Sequence, residues 1–167
     1  MADTDDTAPW NTLYRYWLDK HVDGRPPGRR DIDPPLEIPR LIKDLMLVEV
    51  SPDGFRYRLI GSTISGYMKV DVTGRLVAAT EWTSDGVRSD WRRLLAAVSD
   101  SQKPQLIITK FPAAVQAYNH SLVLPLVGPN SRTEMLLIGI FSGGYIDPGT
   151  PIEGLDTREV TPPPPAT

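Results

Sequence analysis

The order of hydrophobic patterns predicts an α+β fold: a helix, a short helix, two strands, small helical elements, one longer helix, and three antiparallel strands. Three observations carry that prediction. Trp10, Leu13, Tyr14, Trp17 and Leu18 recur at spacings of three and four, the stripe of an amphipathic helix. Ser51-Pro52-Asp53-Gly54, a turn whose Pro presets one dihedral and whose Gly accepts the left-handed one, divides two β-patterned runs. The apolar stretch 104–142 breaks at turn residues into three strand-length pieces.

Taken in order, the first helix runs from Trp10 to about Val22 and is broken by Gly24-Arg25-Pro26-Pro27-Gly28, which no helix can continue. Asp33-Pro34-Pro35 reads as a second helix start. The pre-proline Asp33 is pushed extended, its carboxylate can accept N-terminal amides, and Pro34 fills the first helical position. This helix is expected to end near Lys43. Leu45 to Val50 is apolar on both parities, as in a strand covered on two faces. Phe55 to Ile60 alternates, with Phe55, Tyr57 and Leu59 opposite Arg56 and Arg58. Scattered Gly, Ser and Thr from Gly61 to Arg75 predict short helical turns and a loop. Val87, Trp91, Leu94, Leu95 and Val98 then share one helical face ending near Ser101.

The three closing strands are placed at Pro104 to Phe111, Ala117 to Val127 and Glu134 to Ser142. Pro125 has no amide proton to donate to a ladder. Pairing Phe111 opposite Ala117 would put Pro125 beyond the start of its neighbour, where that donor is not missed. Residues 1–9 are polar and acidic and are expected to be disordered. Residues 145–167 lose apolar periodicity and end in Thr161-Pro162-Pro163-Pro164-Pro165, expected to be a mobile polyproline II tail.

Composition narrows the function classes. With 18 Lys and Arg against 21 Asp and Glu, the net charge is −3, and the Arg pairs Arg29/Arg30 and Arg92/Arg93 stand isolated. A nucleic-acid surface needs clustered cations, so neither nucleic acid nor an anionic membrane surface is expected as a partner. The longest apolar run, Met135 to Phe141, is far short of the about 20 residues that span a bilayer. The start of the chain lacks the cationic and apolar regions of an export signal, so a cytoplasmic location is expected. The absence of cysteine removes disulfides, thiolate nucleophiles and Cys-held metals.

Beyond this pattern, the chain resembles a small proteobacterial group of stand-alone PAS-domain proteins. The resemblance lies in Tyr16-Trp17, Gly24-Arg25, Arg30-Asp31-Ile32-Asp33-Pro34, Glu37-Ile38-Pro39-Arg40-Leu41, Tyr57-Arg58-Leu59-Ile60-Gly61, Asp71-Val72-Thr73-Gly74-Arg75 and Leu124-Pro125-Leu126. It implies a five-stranded antiparallel sheet with helices on one face closing a pocket, in a domain over residues 29–144 preceded by the helix and Pro/Gly loop of 10–28. It implies a sensory or interaction module rather than an enzyme. With no output domain among these residues, the module is expected to signal in trans, binding a small molecule or a signalling protein partner.

The chemistry available agrees. A flavin adduct of the kind PAS photosensors form needs a cysteine, and there is none. Haem needs an axial ligand. The long helix has no His, which leaves only His120, on the strand parity of Leu122, Leu124 and Leu126. His120 reads three ways: an imidazole satisfied by a neighbouring hydroxyl or carbonyl, a contact to a small polar ligand, or, least, a haem ligand. No cofactor is therefore expected, and two histidines about a hundred residues apart give no metal site. Asp31 is expected to pair with Arg30 or another arginine.

No catalytic residue is assigned. An isomerase or lyase on a cupped sheet would need an inward carboxylate or imidazole, for which Glu49, Glu134 and His120 are the thin candidates. The pocket candidates are Tyr57, Ser62, Thr63, Tyr67, Trp91, Tyr118 and His120, with Gly139 marking close approach of a ligand or helix. The same residues also describe a packed core, which is the reading of the chain as a ligand-free dimerisation scaffold. The first helix, with Trp10, Leu13, Tyr14, Trp17 and Leu18, offers apolar area for a homodimer; the alternative is packing only on its own sheet.

Overall fold

A computed structural model describes residues 8–68, 70–77, 85–144, 146 and 152–162. Of the stretches expected to be disordered (1–9) or mobile (145–167), residues 1–7, 145, 147–151 and 163–167 lie outside the described residues, whereas Pro9 opens a helix and Gly154–Glu159 form a strand. Helix α1 spans Pro9–Asp19. It begins one residue before the expected start, because Pro9 takes the first helical position, where its missing N–H costs nothing.

Helix α2 spans only Pro34–Glu37, not the stretch to Lys43. The physical reason is Pro39: Ile38 before it takes φ −135°, ψ 54°, outside the helical region. Single 3₁₀ turns follow at Ile42–Asp44 and precede at Arg29–Asp31. Asp33 does not cap α2 with its carboxylate. Its backbone N–H instead donates to Glu37 Oε2 at 3.0 Å and to the Tyr16 hydroxyl at 3.0 Å. Asp31 likewise accepts from the Gly28 N–H at 2.7 Å, where an arginine partner was expected.

Strands β1 (Leu45–Ser51) and β2 (Gly54–Ile60) form the expected hairpin, and α3 (Ser62–Met68) and α4 (Asp85–Ser101) are the small and long helices. Strands β3 (Gln105–Lys110), β4 (Tyr118–Val127) and β5 (Thr133–Gly143) close the predicted set. The described residues add β6, Gly154–Glu159, antiparallel to β3. The sheet thus has six strands in the order β2-β1-β5-β4-β3-β6, where five were expected. Leu155 is the one large apolar residue of β6, so its pattern carries no period, and backbone pairing with β3 rather than side-chain burial makes it a strand.

Register follows the predicted alignment. Gln105 pairs with Val123 and Ile108 with His120, so β3 begins opposite Val123 and Pro125 lies beyond its start. The freed geometry is used: the Trp17 indole N–H donates to the Pro125 carbonyl at 2.9 Å.

Alternation in the strands sorts the core into two layers. Met46, Val48, Tyr57, Ile107, Val123, Leu136 and Ile138 pack with Ile64, Met68, Trp91, Leu95 and Val98 from α3 and α4, the inner layer. Leu45, Leu47, Leu106, Leu122, Leu124, Leu126, Leu137 and Phe141 pack with Leu13, Tyr14 and Trp17 from α1, the outer layer. Burying both faces of β4 and β5 explains why they read as near-continuous apolar runs.

Candidate functional site

The walls of the inner layer come from alternating strand residues and two helix stripes. Tyr57 on β2 and Trp91 on α4 both join it, Tyr57 fully covered and Trp91 8% exposed. Among the described residues the buried polar side chains are Asn11, Ser121 and Thr133, none of them charged. The Trp91 Nε1 is buried and has no hydrogen-bond partner among the described residues. A buried donor without an acceptor is costly, so this atom is a reason for an occupant or a reservoir of lost stability.

Beside α3 a groove of about 480 Å³ is lined by Ile60, Ser65, Gly66, Val70, Asp71, Val72 and Thr73. Val72 belongs to the inner layer and Ile60 packs against it, so the floor of the groove is the outer skin of that layer. Val70 is half exposed on the rim. Asp71 Oδ1 accepts the Thr73 N–H at 2.9 Å, an Asx turn that fixes the loop. Hydrogen bonds from Thr73, backbone first, hold the Asp71 carboxyl below its ordinary pKa, so it presents a negative charge at neutral pH. Pocket reasoning from the sequence missed these groove residues. Asp71-Val72-Thr73-Gly74 was the available signal, because Asx-turn residues followed by a glycine mark a fixed loop.

The predicted pocket residues divide between the two layers. Tyr57 and Trp91 come together in the inner layer, while on α3 Thr63 is half-buried and Ser62 and Tyr67 are exposed, Tyr67 at 44%. Tyr118, His120 and Gly139 have the opposite parity and face the α1 side. Tyr118 is 50% exposed with its ring 5.2 Å from that of His120. A Cβ on Gly139 would sit 2.6 Å from Leu13 Cδ2 and 2.7 Å from Phe141 Cε2, so this glycine admits α1 rather than a ligand. The expectation of one shared pocket is corrected here, because a single-residue change of strand parity reverses the face.

His120 therefore points away from the inner layer. Partial burial, then the positive charge of Arg158, holds its pKa below the ordinary value, so the imidazole is neutral at pH 7. Glu49 lies on the outer-layer parity of Leu45 and Leu47, and its Oε2 accepts from Arg58 Nε at 2.6 Å. Glu134 is exposed next to the start of β5. Glu49 and His120 thus lie on the outer parity, and the Glu134 carboxylate lies against Gly128. Among the described residues no group of three or more His, Asp or Glu side chains is placed to hold a metal ion.

The α1 stripe packs on the sheet of its own chain. Leu13, Tyr14 and Trp17 are covered within the single chain, and Trp10 and Leu18 are half-buried against the same layer. Three of the five predicted residues are thus buried on the chain's own sheet, while Trp10 and Leu18 keep part of their surface exposed. The same helix is clasped from its polar side: the Tyr16 hydroxyl and Lys20 ammonium both donate to Glu37. These bonds, Lys20 first, lower the Glu37 pKa to about 2, and burial plus the Glu37 bond raises that of Tyr16.

A family model of the PAS domain matches residues 6–142. The chain belongs to the PAS domain family. No curated protein matches it. Among solved structures, this PAS chain is similar to a histidine kinase in complex with a response regulator protein, at 15% identity and a TM-score of 0.40 over 57% of this chain. It is also similar to an RNA-binding light-oxygen-voltage receptor, at 18% identity and a TM-score of 0.42 over 72% of this chain. It spans 28% and 36% of those two chains. No helix among the described residues of the PAS chain is long and apolar enough to cross a membrane.

Proposed function

We propose that this PAS domain is a sensory module that binds a small, uncharged molecule in its inner layer and passes the signal by changed association with a protein partner. The observation that carries the reading is the buried Trp91 Nε1 with no acceptor among the described residues, set in an apolar layer beneath α3 and α4. A ligand with an apolar body and one acceptor, a carbonyl or ether oxygen, fits that donor; an ionised group would be desolvated there without a counter-charge. The groove beside α3 lies directly over this layer, with Val72 and Ile60 as its floor, so entry would require these two side chains to part. No haem ligation is proposed, because His120 faces the other layer.

Occupancy would act by population shift, the bound molecule favouring one packing of α3 and α4 against the sheet and so one affinity for the partner. Native mass spectrometry of the protein purified from its own cells tests this: a bound small mass is expected. Trp91→Phe fills most of the same space without the donor, and is expected to weaken retention about tenfold, the worth of one hydrogen bond. A bare chain mass together with a Trp91→Phe variant of raised melting temperature would replace the sensor by the ligand-free scaffold.

A further inference from the structure

The two ends of the sheet are finished differently. At β2 the chain closes its own edge: the Gly74 N–H donates to the Tyr57 carbonyl at 2.7 Å and the Tyr57 N–H to the Arg75 carbonyl at 3.0 Å. At the other end β6 meets no further strand among the described residues. Thr157, Arg158 and Glu159 are exposed.

The Val160 N–H donates to the Pro104 carbonyl at 3.1 Å, in register with Gln105 opposite Glu159. Antiparallel alternation then turns the amides of Leu155, Thr157 and Glu159 outward, a ready template for another strand. We propose that β6 pairs antiparallel with β6 of a second copy about a two-fold axis through Thr157, joining the two sheets into one.

Charge selects that axis. With the two-fold at Thr157, Asp156 of each copy lies opposite Arg158 of the other, twice, as a non-hydrogen-bonded pair in which side chains are closest. On the other face Thr157 meets itself and Leu155 meets Glu159. Moving the axis to Asp156, Arg158 or Glu159 sets like charges directly opposite, and moving it to Leu155 leaves Arg158 facing Ile152. The outward amides fit the Thr157 axis as a hydrogen-bonded pair. A six-residue edge is small against the roughly 1,000 Å² of a stable interface, so the dimer is weak and reversible, suited to a signal carried by association. The inference rests on strand pairing and charge and stands independently of any ligand in the inner layer. It also places the contact beyond the family match, which ends at residue 142.

Sedimentation of the full chain over a concentration series tests it. A monomer–dimer equilibrium is expected, weakened about tenfold by Asp156→Arg or Arg158→Asp alone and restored by the two together. Thr157→Pro, which removes an outward amide and leaves the Val160 bond to β3 in place, is expected to abolish the dimer, with circular dichroism showing the fold retained. Since the chain has no cysteine, Thr157→Cys is expected to oxidise to a single disulfide-linked dimer. A monomer at every concentration up to about 1 mM, or a dimer indifferent to the charge exchange, would overturn the proposal.

Discussion

The two layers of this PAS domain are built from alternate residues of the same strands, yet they are finished to different standards. On the outer side α1 lies against Leu122, Leu124, Leu126, Leu137 and Phe141, and its Trp17 N–H has a partner in Pro125. On the inner side the indole of Trp91 is equally enclosed but lacks an acceptor among the described residues. Among the described residues, the outer-layer indole has its acceptor and the inner-layer one does not. Under the proposed function, the outer layer is the structural side and the inner layer the one that takes an occupant.

The sharpest way to break the contrast is Trp17→Ala. It removes a buried aromatic and leaves the outer layer open, with an expected loss of about 3–5 kcal/mol of stability by denaturant titration. If α1 served mainly as a dimer surface, stability at low concentration would hardly change. Gly139→Ala is expected to cost about 1–3 kcal/mol by forcing Leu13 and Phe141 apart, measured by the same titration. An unchanged midpoint would show that α1 does not lie so close.

The smallest expected effect concerns the clasp around α2. Glu37 has its pKa lowered to about 2, so its contribution is complete above the unfolded carboxyl value of about 4.3 and is lost as pH falls through about 2. Glu37→Gln is expected to flatten that part of the acid-stability curve. A curve superimposable on the parent's would show that the clasp contributes nothing at equilibrium.

Much of this arrangement is legible in the amino-acid sequence. The stripe at Leu13, Tyr14 and Trp17, the turn at Ser51 to Gly54 and the Pro125 register all follow from local rules, and the structure places them accordingly. Strand parity was legible too, but its consequence for the site was not. His120 shares parity with Leu122 and Leu124, and both faces of β4 are apolar, so nothing in the sequence tells which face α1 takes and which α4 takes. Helix α2 fell short because the Pro39 effect outweighed the apolar pattern running on to Lys43. Strand β6 escaped because Gly-Leu-Asp-Thr-Arg-Glu has one large apolar residue and owes its conformation to pairing with β3, a long-range interaction without a local signature.

The bond from Trp17 to the Pro125 carbonyl gives the molecule a built-in spectroscopic probe. Of its four tryptophans, Trp17 carries an indole proton locked between helix and strand, while that of Trp91 is shut from solvent with no acceptor among the described residues. In a proton–nitrogen correlation spectrum the first would resonate downfield and exchange slowly. The second would shift when an acceptor arrives, so two peaks of one unlabelled-tag sample would report helix docking and occupancy separately.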